Sequence, residues 1–434
     1  MITGNESLLF DPRFMDPQAE PYGLFWCANA EDVQAIQINA VCKALLAPWR
    51  ELTEWSEFVC QYPYILVAVP PGSTRDEIAS ELQARFPLPV LIPGKDAFHG
   101  CASALELREN YGLSAIDQLV LDAEELPSPG LLNVGTQIDC DGETNTKRTS
   151  SGLALLDREI GGFAPGELSV WTGRRGEGKS TLLGQILLDA INQGHRVCAY
   201  SGELPAKQFK RVIRQQAAGY LHVTKLEDPW TGKEYYTVCD DVKGPIDRWF
   251  DGSLFLTDIR DKLAHDEDTI LRLFEGSHRR YGCDTFLVDN IMTAQLRGEA
   301  EQGYYRAQSA FAGRLADFCK RLGVHVHLVA HPRKTEGKRP LEADDVGGSG
   351  DITNRADNVF KVERVPEEKV QELGYSSLLT ILKNREFGAR GKVKLEFNEP
   401  SRRLFQKDGS PAKRYGWEMR KHEAVNLPYW QKAL

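Results

Sequence analysis

LSVWTGRRGEGKSTLLGQILLDAI, residues 168–191, decides the fold of the longer part of this chain. LSVWT (168–172) is an apolar, β-prone run and predicts a buried strand. Gly173-Arg-Arg-Gly176-Glu-Gly178-Lys179-Ser180 matches G-x-x-x-x-G-K-[ST] in full, and TLLGQILLDAI continues as a helix with an apolar face. Strand, loop and helix in that order are the setting the motif requires. Gly173, Gly176 and Gly178 let backbone N–H groups turn inward on phosphate oxygens, with Thr181 closing the same cradle, and the helix start adds its positive end. Lys179 is predicted to reach the β- and γ-phosphates of ATP or another NTP or dNTP, and Ser180 to hold Mg²⁺. The plainer explanation, a chance match in a glycine-rich turn, has to ignore both flanking elements.

Four more apolar runs end in residues of use to such a loop. RVCAY (196–200) leads to Ser201-Gly202-Glu203. Glu203 is placed either to polarise the attacking water or simply to favour the start of the next helix through its dipole. DTFLVDN (284–290) ends at Asp289, the arrangement in which a carboxylate holds Mg²⁺ through water. VHVHLVA (324–330) delivers His331-Pro332-Arg333-Lys334, and strand ends of parallel sheets face the ligand crevice, so His331 is a candidate sensor of the γ-phosphate. His325 and His327 share one strand face and read as structural histidines. SLLTILKNR (377–385) puts Lys383 and Arg385 on one face and Asn384 on the other. That pair either clasps a phosphate, in a ring the neighbour's, or is two solvated edge cations.

The rest of the chain sets bounds. Its 434 residues suit two domains. With 53 Lys and Arg against 62 Asp and Glu, the net charge of −9 shows no global grip on nucleic acid, although a local basic lining is compatible with it. Nine Cys, at 27, 42, 60, 101, 140, 198, 239, 283 and 319, form no C-x-x-C pair; a zinc ribbon is not expected, and several read as small buried hydrophobes of a reducing compartment. MITGNESLLFDPRF has no basic lead into an apolar stretch, and no run reaches the roughly 18 apolar residues of a membrane span. The expected location is therefore the cytoplasm of a bacterial or phage-infected cell, without a membrane partner. Residues 30–50 carry Val33, Ile36, Ile38, Val41 and Leu45 at mostly helical spacing and predict a helix; YILVAVP, TRDEIASELQARF, PVLIP and HGCASALELRENYG then alternate strand and helix. The expected parts are an α/β domain over 1–125, a linker rich in Pro, Gly, Asp and Thr over 126–149, a second α/β domain over 150–408, and an aromatic, charged tail over 409–434 that docks on a neighbour or on its own domain.

PGELSVWTGRRGEGKST, YSGELP, FLVDN, VAHPRK, GSGDITNRADNVFKV and LKNREFGARGKVKLEFNEPSRRLF occur in the order found in the DnaB-like (superfamily 4) hexameric helicases. Over about 150–405 the chain resembles that family, above all its phage primase-helicase and Twinkle group. The resemblance implies a RecA-like P-loop NTPase core, a mostly parallel sheet flanked by helices. It casts Glu203 as the catalytic glutamate, Asp289 as the Walker B aspartate, His331 as the phosphate sensor, and Lys383 with Arg385 as a pair acting on the next subunit's nucleotide. It also implies a hexameric or heptameric homo-oligomer, 5′ to 3′ movement on single-stranded DNA, and primase, polymerase or single-strand-binding protein as candidate partners. Loops at about 293–303 and 334–350 would line the channel, where Lys334, Lys338 and Arg339 either touch DNA phosphates or form a solvated charged loop.

The first domain is similar in layout to the TOPRIM fold, and GKDAFHGCASALELRENYG echoes a segment of it. The carboxylate pattern that binds Mg²⁺ in TOPRIM primases is not matched, because YILVAV runs into Pro70-Pro71-Gly72-Ser73 and FWCANAEDV offers no clear glutamate. The expectation is a smaller, degenerate TOPRIM-like domain without primase activity. Two other uses of the core stay open: a DNA-binding recombination, annealing or phage-defence ATPase that does not unwind processively, and a regulatory ring ATPase that does not act on DNA.

Overall fold

Alternation of apolar faces along short strands builds each of two units, Met1–Gly142 and Glu143–Leu434, in the computed structural model of the chain. The structure describes residues 23–37, 43–45, 59–127, 131, 134–137, 148–297, 303–332, 350–407 and 413–418.

The first unit has strands β1 (Leu24–Trp26), β2 (Lys43–Leu45), β3 (Ile65–Val67), β4 (Val90–Pro93) and β5 (Ala123–Glu125), in sheet order β2-β1-β3-β4-β5. All neighbours are parallel except β4 and β5. Phe25 and Leu66 face one core with Ile36 and Leu107, while Leu24, Trp26, Ile65 and Val67 face another with Ile78 and Leu82. This is the period-two pattern of strands covered on both faces. The continuous helix expected over 30–50 is corrected here. The helix ends at Gln37, and Lys43, Ala44 and Leu45 pair in register with Leu24, Phe25 and Trp26. Tertiary pairing along that side of β1 outweighs the local 3.6-residue spacing; Val41 lies outside the described residues. Buried Asp32 accepts from the Leu105 amide at 2.9 Å and from Asn29 Nδ2 at 2.8 Å, tying the Ala30–Gln37 helix to the start of the Ala104–Tyr111 helix.

In the second unit β6 (Leu168–Thr172), β7 (Val197–Ser201), β10 (Leu254–Leu256), β11 (Thr285–Asp289), β12 (His325–Val329) and β13 (Asn358–Arg364) form a parallel block, and β14 (Ser377–Asn384), β15 (Gly391–Asn398) and β16 (Arg403–Gln406) extend it antiparallel. The sheet order is β10-β7-β11-β12-β6-β13-β14-β15-β16, while β8 (Val223–Glu227) and β9 (Glu234–Val238) make a separate hairpin. Trp171, Val197, Ala199 and Leu287 point into one core, with Leu182, Ile186 and Leu187 of the Lys179–Asn192 helix. Val170, Cys198, Tyr200, Phe286 and Val288 point into the other, with Phe274, Phe311 and Leu315. The expected α/β fold with a RecA-like, largely parallel sheet is the one the chain adopts. Because β7, β11, β12 and β6 are consecutive in the sheet, their four carboxyl ends open side by side, which is where parallel sheets hold ligands.

Of the tail, residues 413–418 fold back on their own unit. Trp417 Nε1 donates to the Ala217 carbonyl at 2.9 Å, Lys413 pairs with Asp189 at 2.9 Å, and buried Arg403 pairs with buried Glu418 at 2.9 Å. Most of the linker over 126–149 lies outside the described residues, apart from pieces that include the helical turn Val134–Gln137.

Candidate active site

The loop after β6 turns sharply because glycine stands where nothing else fits. Gly173 has φ 143°, and a Cβ there would sit 2.3 Å from the Val362 carbonyl oxygen of β13. Gly178, at φ 91°, starts the Lys179–Asn192 helix. The Lys179 ammonium is buried and donates to the Gly173 and Arg174 carbonyls at 2.8 Å each, which holds it over the loop.

Neighbouring strand ends complete a cleft of about 570 Å³. Gly176, Gly178, Lys179, Ser180 and Thr181 line it together with Glu203, Asp289 and His331. Asp289 and Ser201 are register partners across β11 and β7, which brings Glu203, two residues past Ser201, beside Asp289. Ser180 hydrogen-bonds the Asp289 carboxylate. Burial, and then the Glu203 charge, push that carboxyl up from the usual range, while the Ser180 hydrogen bond and Lys179 pull it down. Burial lowers the Lys179 ammonium, against the attraction of Asp289, Glu177 and Glu203. Burial also lowers His331, with Lys179 adding to the effect, so its imidazole is held neutral near pH 7. One residue whose role the sequence did not reveal also lines the cleft. Asn290 Nδ2 donates to Glu203 Oε1 at 2.6 Å and lies 3.3 Å from His331 Nε2. Its own carbonyl oxygen Oδ1 accepts from the Met292 amide at 2.9 Å, which fixes the amide's orientation.

Against this geometry stands a family comparison. The model of the DnaB-like helicase C-terminal domain matches residues 149–406. This chain belongs to that family. The curated "Replicative DNA helicase DnaB" of Mycoplasma genitalium is 24% identical over 276 residues, 59% of this chain and 56% of the relative. The chain thus spans about half the length of that relative. Among solved structures, "The Structure Of A DnaB-Like Replicative Helicase And Its Interactions With Primase" aligns at TM-score 0.51 and 16% identity over 81% of this chain and 82% of the other. A KaiC-like protein of the hyperthermophilic archaeon Pyrococcus horikoshii aligns at TM-score 0.41 and 15% identity, over 60% of this chain and 99% of the other.

The DnaB-like domain keeps Lys383 and Arg385 away from its own cleft. Lys383 Nζ donates to the Thr353 and Ala356 carbonyls at 2.7 and 2.8 Å, satisfying carbonyls at the end of the Gly350–Arg355 helix. Arg385 pairs with Asp357 at 2.8 Å and donates to the Asn354 carbonyl at 3.0 Å. The two share one face, as strand alternation predicts, and Asn384 points the other way, to buried Asn358 at 2.8 Å. Partial burial and the neighbouring Arg385 charge lower Lys383, whereas the Arg385 side chain stays 49% exposed beside Asp357. His325 and His327 are buried. Lys334, Lys338 and Arg339 lie outside the described residues.

Arg402, also unread in the sequence, lines the cleft from the β15–β16 turn. No helix among the described residues is long and apolar enough to cross a membrane.

Proposed function

We propose that this chain is an ATP-driven ring motor that moves along single-stranded DNA and unwinds duplex ahead of it, 5′ to 3′, without primase activity. The reading rests on one observation: in a DnaB-like domain, the phosphate loop, Glu203, Asp289 and His331 meet in a single cleft. In this reading the amides from Gly173 to Thr181 cradle the phosphates, Lys179 neutralises the β- and γ-oxygens, and Glu203, oriented by Asn290, polarises the attacking water. Neutral His331, linked to Glu203 through Asn290, senses the γ-phosphate. The Ser180 hydroxyl against the Asp289 carboxylate is a donor set of hard oxygens that suits Mg²⁺. That ion would supply charge neutralisation between β- and γ-phosphates.

Lys383 and Arg385 reach the nucleotide of the adjoining subunit in a hexamer or heptamer, and Lys334, Lys338 and Arg339 touch DNA phosphates in the channel. Residues 1–125 serve as a degenerate TOPRIM-like module, 126–149 as the linker, and primase, polymerase or single-strand-binding protein are candidate partners in the cytoplasm. The test is strand displacement from a forked duplex. ATP-dependent unwinding that requires a 5′ tail supports the reading. ATPase stimulated by DNA without displacement would favour a recombination, annealing or defence ATPase. Hydrolysis indifferent to DNA would favour a regulatory ring.

A further inference from the structure

The turn between β15 and β16 holds an arginine in a conformation that glycine adopts freely and other residues avoid. Arg402 has φ 53°. Strain of this kind persists where the surroundings hold it in place, and here they do. The Ser401 hydroxyl donates to Asn398 Oδ1 at 2.6 Å, and the Arg402 amide donates to the Glu399 carbonyl at 3.3 Å. The Arg402 carbonyl accepts from Gln216 Nε2 at 2.9 Å, and the same nitrogen donates to the Thr181 carbonyl at 2.7 Å. Next along the chain, buried Arg403 is locked by the Gln216 carbonyl at 2.6 Å and by Glu418 at 2.9 Å. The backbone of Arg402 is therefore tied to the first turn of the phosphate-loop helix. The residue is exposed, and its guanidinium has no hydrogen bond or ion pair among the described residues.

Position says what that cation faces. Lys179, Ser180, Thr181, Glu203, Asp289 and His331 line one cleft with Arg402; in a phosphate loop the lysine reaches the β- and γ-phosphates and the loop amides cradle the α- and β-phosphates, which puts the α-phosphate on the Thr181 side. Arg402 also borders a second, larger groove that carries Lys207, Arg211, Tyr235 and Phe397, so it stands between the two. We propose that Arg402 is a nucleotide-binding residue, donated by its own chain, whose guanidinium contacts the α-phosphate side of a bound nucleoside di- or triphosphate. The proposal rests on the cleft being a nucleotide site.

Arg402→Gly is the informative variant, because glycine removes the cation and relieves the turn together. In calorimetric titrations of the full chain, Arg402→Gly binds ADP and a non-hydrolysable ATP analogue about tenfold more weakly, by the same factor for both, since both carry the α-phosphate. Its melting temperature without nucleotide stays at or above that of the unaltered chain, and Arg402→Lys recovers part of the affinity. Unchanged affinity in Arg402→Gly overturns the proposal, as does a loss confined to the ATP analogue or a loss matched by a lower melting temperature. Lys179→Ala in the same titrations separates the two layers. If it binds both nucleotides normally, the nucleotide site itself is refuted; if it binds them weakly while Arg402→Gly does not, only the role of Arg402 falls.

Discussion

Asn290 shows what a single side chain adds to a phosphate loop. A carboxylate that is to polarise water must be held in one orientation, and a 2.6 Å hydrogen bond from a neutral amide does so without neutralising it. Asn290→Ala should therefore lower kcat about 10- to 100-fold, on the scale of losing a partner that orients a functional group from behind, with nucleotide affinity nearly unchanged. Steady-state kinetics beside equilibrium binding checks this; an equal loss in both would assign Asn290 to binding. The sequence could not show this role. FLVDN reads as a strand end, and the approach of its last residue to Glu203 and His331 exists only once β7, β11 and β12 are side by side. Arg402 was hidden for the same reason, lying 221 positions beyond Thr181 in the chain, that is 402 − 181. The loop from Gly173 to Thr181 was legible because strand, turn and helix are contiguous and its three glycines stand at positive φ.

At the scale of elements, two buried polar devices hold the sheet. His325 Nδ1 donates to the Ala164 carbonyl at 2.8 Å, and Nε2 accepts from the Ser169 hydroxyl at 3.0 Å, so the ring is satisfied as a neutral imidazole. Burial pushes its pKa down to about 4, and that of its neighbour His327 down as well. In the unfolded chain a histidine titrates near 6.5, roughly the model-peptide value. Below that pH the unfolded state takes up a proton that the folded state refuses, so stability falls as pH drops from about 6.5 toward about 4. Melting curves of the unaltered chain and of His325→Gln between pH 7 and pH 4.5 should show a shallower slope in the variant; equal slopes would contradict the buried neutral ring. The second device is Arg403 with Glu418, which joins β16 to residues 413–418. Glu418→Ala leaves a buried guanidinium without its counter-ion and should destabilise the fold by about 3 kcal/mol in urea unfolding. A change below about 0.5 kcal/mol, the usual scale of surface substitutions, would mean that the tail segment does not close over the core. Elements were least legible where pairing overrules local spacing. Lys43–Leu45 carried part of a helical pattern, yet its neighbours in space made it a strand.

For the whole molecule, the central question is whether one chain completes its own site. Lys383 and Arg385 sit together at the carboxyl end of β14 and do not line the cleft of the same chain. If they complete the site of an adjoining copy, the Arg385→Ala protein should bind ATP and fail to hydrolyse it. Mixing it with Lys179→Ala protein should restore activity, because some cleft in the mixed ring then has an intact lysine of its own and an intact arginine from its neighbour. Absence of restoration in rings shown by native mass to contain both variants would place the pair in a structural role. The proposal of a ring rests in the sequence only on the order of motifs from 150 to 405, since nothing in composition or charge points to self-association.

The most direct measurement is the binding of ATP with Mg²⁺ to the intact chain, followed by its hydrolysis with and without single-stranded DNA. The account predicts saturable binding, hydrolysis raised several-fold by DNA, and loss of both binding strength and turnover in Lys179→Ala. Turnover in Lys179→Ala equal to that of the unaltered chain would contradict it.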